Sequence, residues 1–114
     1  MRHFSLLILL LLSLSATVAY GQATPSSAED YFNRGTARYG KGDLDAAIAD
    51  FTKAIEFNPQ VAMSYANRGM AKLEQGKYAE AQQDFDTAIK LDSSLKSDVE
   101  AMRVEIKQAR KPKE

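Results

Sequence analysis

AEDYFNRGTARYGKGDLDAAIADFTKAIEFNPQV, residues 28–61, runs without a gap into AMSYANRGMAKLEQGKYAEAQQDFDTAIKLDSSL, residues 62–95. Superposed at an offset of 34, the stretches are identical at 12 of 34 positions. Ala28, Tyr31, Asn33, Arg34, Gly35 and Ala37 return as Ala62, Tyr65, Asn67, Arg68, Gly69 and Ala71. Gly42, Ala47, Asp50, Phe51, Ala54 and Ile55 return as Gly76, Ala81, Asp84, Phe85, Ala88 and Ile89. A unit of this length is one supersecondary element, too short to bury its own apolar face. Copies must therefore stack, and stacked arrays serve more often as binding surfaces than as housings for catalysis.

Within each unit the spacing is helical. Ser26 followed by Glu29 has the form of a capping box, which satisfies two free N–H groups at a helix start and predicts a helix over 27–39. Gly40-Lys41-Gly42 breaks it, and Asp43 is placed to cap a second helix over 44–57. Leu44, Ala47, Ile48, Phe51, Ala54 and Ile55 fall at the three-and-four spacing of one apolar face of that helix. Asn58-Pro59 stops it and is expected to start its successor, since proline is tolerated in a first turn. The cycle repeats with helices over 60–74 and 78–91, separated by Gln75-Gly76-Lys77. Asp92-Ser93-Ser94 ends the fourth helix. A fifth is expected over 95–109, with Leu95, Val99, Met102, Ile106 and Ala109 as a narrow apolar stripe. Gly35 and Gly69 lie inside helices, where glycine costs roughly 0.5–1 kcal/mol against alanine. They need a packing reason, and close approach of paired helices across Gly35/Ala47 and Gly69/Ala81 supplies one.

The pattern resembles the tetratricopeptide repeat: an aromatic near the start of the first helix, glycine four residues later, then alanine, aromatic, alanine along the second. Those positions are Tyr31, Gly35, Ala47, Phe51, Ala54 and Pro59, then Tyr65, Gly69, Ala81, Phe85 and Ala88. Ser93 stands where a second proline is usual. The resemblance implies an all-α fold of tandem antiparallel helix-turn-helix repeats, an α-solenoid in miniature. Repeats at 28–61 and 62–95 are followed by a capping helix over 96–110 and a frayed tail over 111–114. It also implies binding of a peptide or helix in a concave groove lined by the first helix of each unit. On this chain Phe32, Asn33, Thr36, Met63, Asn67, Met70 and Leu73 would form that groove, flanked by Glu29, Tyr39, Ala66 and Glu74 and, on the end helix, by Ala101, Val104 and Gln108. Methionines adapt to irregular apolar partners, and asparagine can both donate to and accept from a peptide backbone. The competing reading is that Phe32, Met63 and Met70 serve only helix packing. The family members that grip carboxylate tails of heat-shock chaperones do so with lysine, asparagine and arginine. Here Phe32, Thr36, Asn67, Ser97 and Ala101 hold those places, only Asn67 fits, and that function is excluded.

Working outward, residues 1–21 have the three-part form of a secretory signal: Arg2 and His3, an apolar block from Phe4 to Leu14, then small and polar residues ending at Ala19, Tyr20 and Gly21. Cleavage is expected before Gln22, with cutting after Ala19 as the second choice, leaving a lead-in over 22–27 and a secreted or periplasmic protein. The alternative is an uncleaved anchor, the one case in which membrane contact is expected. Phe4 to Tyr20 is only 17 residues and is diluted by hydroxyls, whereas a bilayer crossing takes about 20 apolar residues. The absence of cysteine excludes both a lipid-modified cysteine and a disulfide staple.

From Gln22 onward the chain has 14 Lys and Arg against 15 Asp and Glu, with no His, Cys or Trp. That balance lacks the basic excess of a nucleic-acid footprint. Without His or Cys no nucleophile-and-base pair or metal cluster assembles, so no enzymatic activity, metal or cofactor is expected. Arg34 and Arg68 are expected to form exposed ion pairs with neighbouring helices. Residues 96–114 sum to +2, read as a solvated helix end whose cations suit the dipole. The partner is another protein or peptide. The alternative is a structural unit stacking end to end into a weak homo-oligomer.

Overall fold

The computed structural model describes residues 24–109 and Pro112; the expected signal segment and its cleavage point lie outside them. Among the described residues every regular element is helical. Helices α1 (Ala28–Gly40), α2 (Leu44–Phe57), α3 (Ala62–Glu74) and α4 (Tyr78–Leu91) are followed by a 3₁₀ turn (Ser93–Leu95) and α5 (Lys96–Ala109). Helix α1 packs on α2, α3 on α4, and α2 on α3, as tandem repeats require.

The expected helices are present, with three corrections at their starts. Ser27, not Ser26, caps α1: its hydroxyl accepts from the Asp30 N–H at 3.1 Å, and the Asp30 carboxylate reaches back to the Ser26 N–H at 3.4 Å. The box is thus closed by Asp30, one residue beyond Glu29, leaving Glu29 free to face elsewhere. Pro59 does not open α3. Asn58 Oδ1 accepts from the Gln60 N–H at 3.1 Å, folding an Asx turn that delays α3 until Ala62. The Tyr65 hydroxyl donates to the Pro59 carbonyl at 3.0 Å and fixes this connector. The last helix begins at Lys96, because Asp92 Oδ1 accepts from the Ser94 N–H at 3.0 Å and holds residues 93–95 in the tighter turn.

Both hairpins close the same way. Gly42 and Gly76 have φ of 80° and 79°, a left-handed conformation disfavoured for L side chains. The Asp43 N–H then donates to the Arg38 carbonyl at 3.0 Å, and Lys77 to Lys72 at 2.9 Å, the six-to-one bond of a Schellman ending. Asp43 goes on to cap α2 through the Ala46 N–H at 3.4 Å, whereas Lys77 gives α4 no side-chain cap.

The interior follows from the repeated residues. Ala47, Phe51 and Ala54 in one repeat, and Ala81, Phe85 and Ala88 in the next, are essentially solvent-free. Each phenylalanine contributes roughly 2–3 kcal/mol by burial. A Cβ built on Gly35 would lie 2.9 Å from Phe51 Cε1, and one on Gly69 would lie 2.9 Å from Phe85 Cε1. The phenyl edges occupy the space where a side chain would start, which is why glycine is tolerated in mid-helix. Val99 of α5 closes the other end against Ala81 and Phe85, with Met70, Leu73, Ile89 and Met102 packed around it.

Candidate functional site

Helices α1, α3 and α5 present a common face scored by four linked depressions. The one at the N-terminal ends of α1 and α3, about 530 Å³, has Glu29, Phe32, Val61 and Met63 in its wall. A smaller one, about 150 Å³, lies between Thr36, Tyr39, Asn67 and Met70, with Phe51 as its floor. Between α3 and α5 a third is walled by Met63, Ala66, Asn67, Met70, Asp98 and Met102. The fourth continues toward the end of α3 along Tyr39, Met70, Leu73, Glu74 and Glu105. Met70 lines three of the four and Asn67 two, so these residues stand where the depressions meet.

The seven residues expected in the groove divide accordingly. Phe32, Thr36, Met63, Asn67, Met70 and Leu73 line this face, while Asn33 is exposed and lines none of the depressions. Packing and lining are not exclusive. Phe32 lies 5.8 Å centroid to centroid from Phe51 and still walls the first depression. Met70 supports the Val99 cluster and still lines three depressions. Met63, 45% exposed, is the one closest to a free apolar side chain. The Thr36 hydroxyl donates to the Phe32 carbonyl at 2.9 Å. The Asn67 carboxamide hydrogen-bonds no other described residue, so its donor and acceptor both remain available. Sequence reasoning placed Met102 only in the packing stripe of the last helix and did not single out Glu105. The signal for Glu105 was its position three residues after Met102, on the same face of the helix.

Electrostatics separates this face from the rest of the molecule. Arg34 pairs with Asp50 through two nearly parallel bonds of 2.9 and 2.8 Å, and Arg38 adds a third at 3.0 Å. In the second repeat Arg68 makes the same fork on Asp84 at 2.9 and 2.7 Å, joined by Lys72 at 3.3 Å. The arginine pairs are present, but they are not surface pairs as expected. Asp50 and Asp84 are only 2% and 4% exposed, so these forks are buried at the acid end. The hydrogen bond to the aspartate raises both guanidinium pKa values above the usual arginine value. Arg34 and Arg68 also lie over the rings of Tyr31 and Tyr65 at 5.6 and 5.8 Å. The identical 16-residue Arg-to-Asp spacing in both repeats was the legible signal for these pairs.

At the groove, the Tyr39 hydroxyl donates to the Glu74 carboxylate and joins the two repeats. Partial burial, reinforced by that bond, pushes the Tyr39 phenol up to about 12. Beside it Gln75 Nε2 donates to Asp45 Oδ1 at 2.5 Å, a second link between repeats. Among the described residues no group of His, Cys, Asp and Glu is arranged to hold a metal ion. No described helix is long and apolar enough to cross a membrane.

A family model for the tetratricopeptide repeat matches residues 28–61 and again 62–95. The matches cover well over half the chain, which belongs to the tetratricopeptide repeat family. Such repeats generally mediate protein–protein interaction and are generally non-enzymatic. No curated protein matches the chain.

Proposed function

We propose that the chain is an exported protein-interaction module that holds a peptide or helix of another protein along the face formed by α1, α3 and α5. The observation that carries the reading is the junction at Asn67 and Met70. An unpaired carboxamide and an adaptable thioether stand side by side where the depressions meet. Asn67 suits a partner backbone and Met70 an apolar side chain, the division of labour expected of a groove that grips a segment. Export rests on the sequence of residues 1–21 and predicts a mature N-terminus at Gln22, readable by mass spectrometry of the protein made in cells.

The groove reading is tested by placing a photo-crosslinking amino acid at position 70 and, separately, at Lys53 on the outside of α2. Adducts are expected from position 70 and not from 53; the reverse moves the interaction to the outer surface. For a partner captured this way, Asn67→Ala should weaken binding severalfold without unfolding, since a hydrogen bond is worth about 0.5–1.5 kcal/mol net. End-to-end stacking is the competing reading, and Val104, 53% exposed on the terminal helix, favours it. Light scattering over a concentration series decides, a strict monomer removing it.

A further inference from the structure

We infer that the partner segment is a cationic amphipathic helix, an apolar stripe flanked by lysine or arginine; this rests on the groove reading above and adds its charge. Every depression but the smallest has a carboxylate in its wall. Glu29 stands beside Phe32 and Met63, Asp98 beside Met63 and Met102, and Glu74 and Glu105 beside Met70 and Leu73. Among the described residues no Lys or Arg lines any of the four.

The disposition of the other carboxylates makes this informative. Asp50, Glu56, Glu80, Asp84, Asp86 and Glu100 are all ion-paired within the chain. Asp30, Asp43 and Asp92 hold helix starts and a turn, and Asp45 accepts from Gln75. Among the described acids, those left without a cation or a local structural task are the four at the groove. Glu29, Asp98 and Glu105 have no hydrogen-bonding or ionic partner among the described residues, and Glu74 has only the neutral Tyr39 hydroxyl. The nearest cations stand in the adjoining depression that α5 forms with α4, which shares Leu73 and Tyr78 with the fourth: Arg103 there pairs with Asp86 and Glu100 at 2.7 Å each, and Lys107 lines the same wall. A methionine-rich floor with unneutralised carboxylates at its borders is complementary to a helix carrying an apolar stripe between rows of cations. An acidic segment would instead meet like charge on both sides.

The probes are two synthetic amphipathic peptides of about 18 residues, five helical turns, sharing one leucine–methionine stripe and flanked by lysine in one and glutamate in the other. Calorimetric titration of the mature protein should show the lysine peptide binding at least tenfold more tightly, with the gap narrowing from about 50 mM to about 500 mM salt. The double variant Glu29→Gln with Glu105→Gln should weaken the lysine peptide about fivefold, while Glu56→Gln with Glu80→Gln should not. Circular dichroism checks that both variants are folded. Equal binding of the two peptides, both lost in Met70→Glu, overturns the charge assignment and leaves the groove intact. Equal loss from the groove and outer-face variants reduces the effect to general adsorption and overturns the proposal. Absence of binding by either peptide, together with no crosslink at position 70, removes the groove reading itself.

Discussion

Arg34 and Arg68 occupy the same position in two copies of one unit, yet they are not equally committed. The Arg34 side chain is 39% exposed and its companion Arg38 is 37% exposed. Arg68 and Lys72 are 17% and 14% exposed. The difference comes from neighbours. Helix α1 is the first described helix, whereas α3 lies against α2, whose Thr52 hydroxyl accepts from Arg68 at 3.2 Å. The aromatic positions diverge in the same way. Phe32, which packs on Phe51 of its own repeat, becomes Ala66 where α5 approaches. Phe57, stacked on Tyr31 at 5.4 Å but itself 56% exposed, becomes Leu91. One motif thus has two energetic weights: in a short array, stability concentrates in the unit flanked on both sides.

The largest effect expected from that asymmetry lies at the two buried glycines. Leucine at either would collide with the phenyl ring already 2.9 Å from a built Cβ, and overpacking typically costs about 1–3 kcal/mol, more when the backbone must separate. Gly69→Leu should abolish most of the helical circular dichroism, because the central unit holds both ends. Gly35→Leu should lower the melting temperature but retain a folded portion from α3 to α5, visible as hydrogen-exchange protection there. Equal loss in the two variants would mean that the chain unfolds as a single unit and that the asymmetry has no energetic content.

The ion-pair forks should show a smaller version of the same contrast. Asp84→Ala strands Arg68 and Lys72 in a largely buried setting, and breaking a buried pair costs about 3–5 kcal/mol. About 3 kcal/mol is expected, since both cations retain some access to water. Asp50→Ala leaves Arg34 and Arg38 free to turn outward, so about 1.5 kcal/mol is expected, near the value of a hydrogen bond to a charged group. Urea unfolding of the two variants measures the difference; a larger loss at Asp50 would reverse the ranking of the repeats.

Those forks also mark how far the sequence could be read. The period of 34, the turn glycines and the alanine–phenylalanine–alanine spacing predicted the helices because each reports a local or pairwise requirement that repeats. Depth of burial was not legible. Arg34 with Asp50 looks like any surface pair until the aspartate is seen beneath its own helix pair, a consequence of stacking rather than of spacing. The shift from Ser26/Glu29 to Ser27/Asp30 was lost for a related reason: two overlapping capping patterns satisfy the same rule, and packing of α1 selects one. Phe32, Thr36, Met63, Asn67, Met70 and Leu73 line one face, while the place of Asn33 away from its depressions depends on helix rotation by a fraction of a turn. The isolation of Glu29, Asp98 and Glu105 among the described residues depends on which helices the other acids face, which spacing along the chain does not specify.

The smallest effect expected concerns the seam between the repeats, where Tyr39 has no counterpart because Leu73 holds the equivalent place. The Tyr39 phenol donates to Glu74, and its pKa rises from the usual 10.0 to about 12 on folding. The folded state therefore keeps a proton that the unfolded chain releases first, so stability from this bond is complete below pH 10 and is lost as pH climbs through 12. Tyr39→Phe removes the bond at every pH. Because Glu74 is exposed, the net worth is placed at the low end for a hydrogen bond, about 0.5–1 kcal/mol, or roughly 2–8 °C in a domain of this size. Melting curves of the two proteins should therefore be separated by that interval at pH 8–9 and should converge toward pH 12, even as both lose stability to other ionisations. A gap that stayed constant across the range would show that the phenyl ring, and not the proton on the phenol, couples the first repeat to the second.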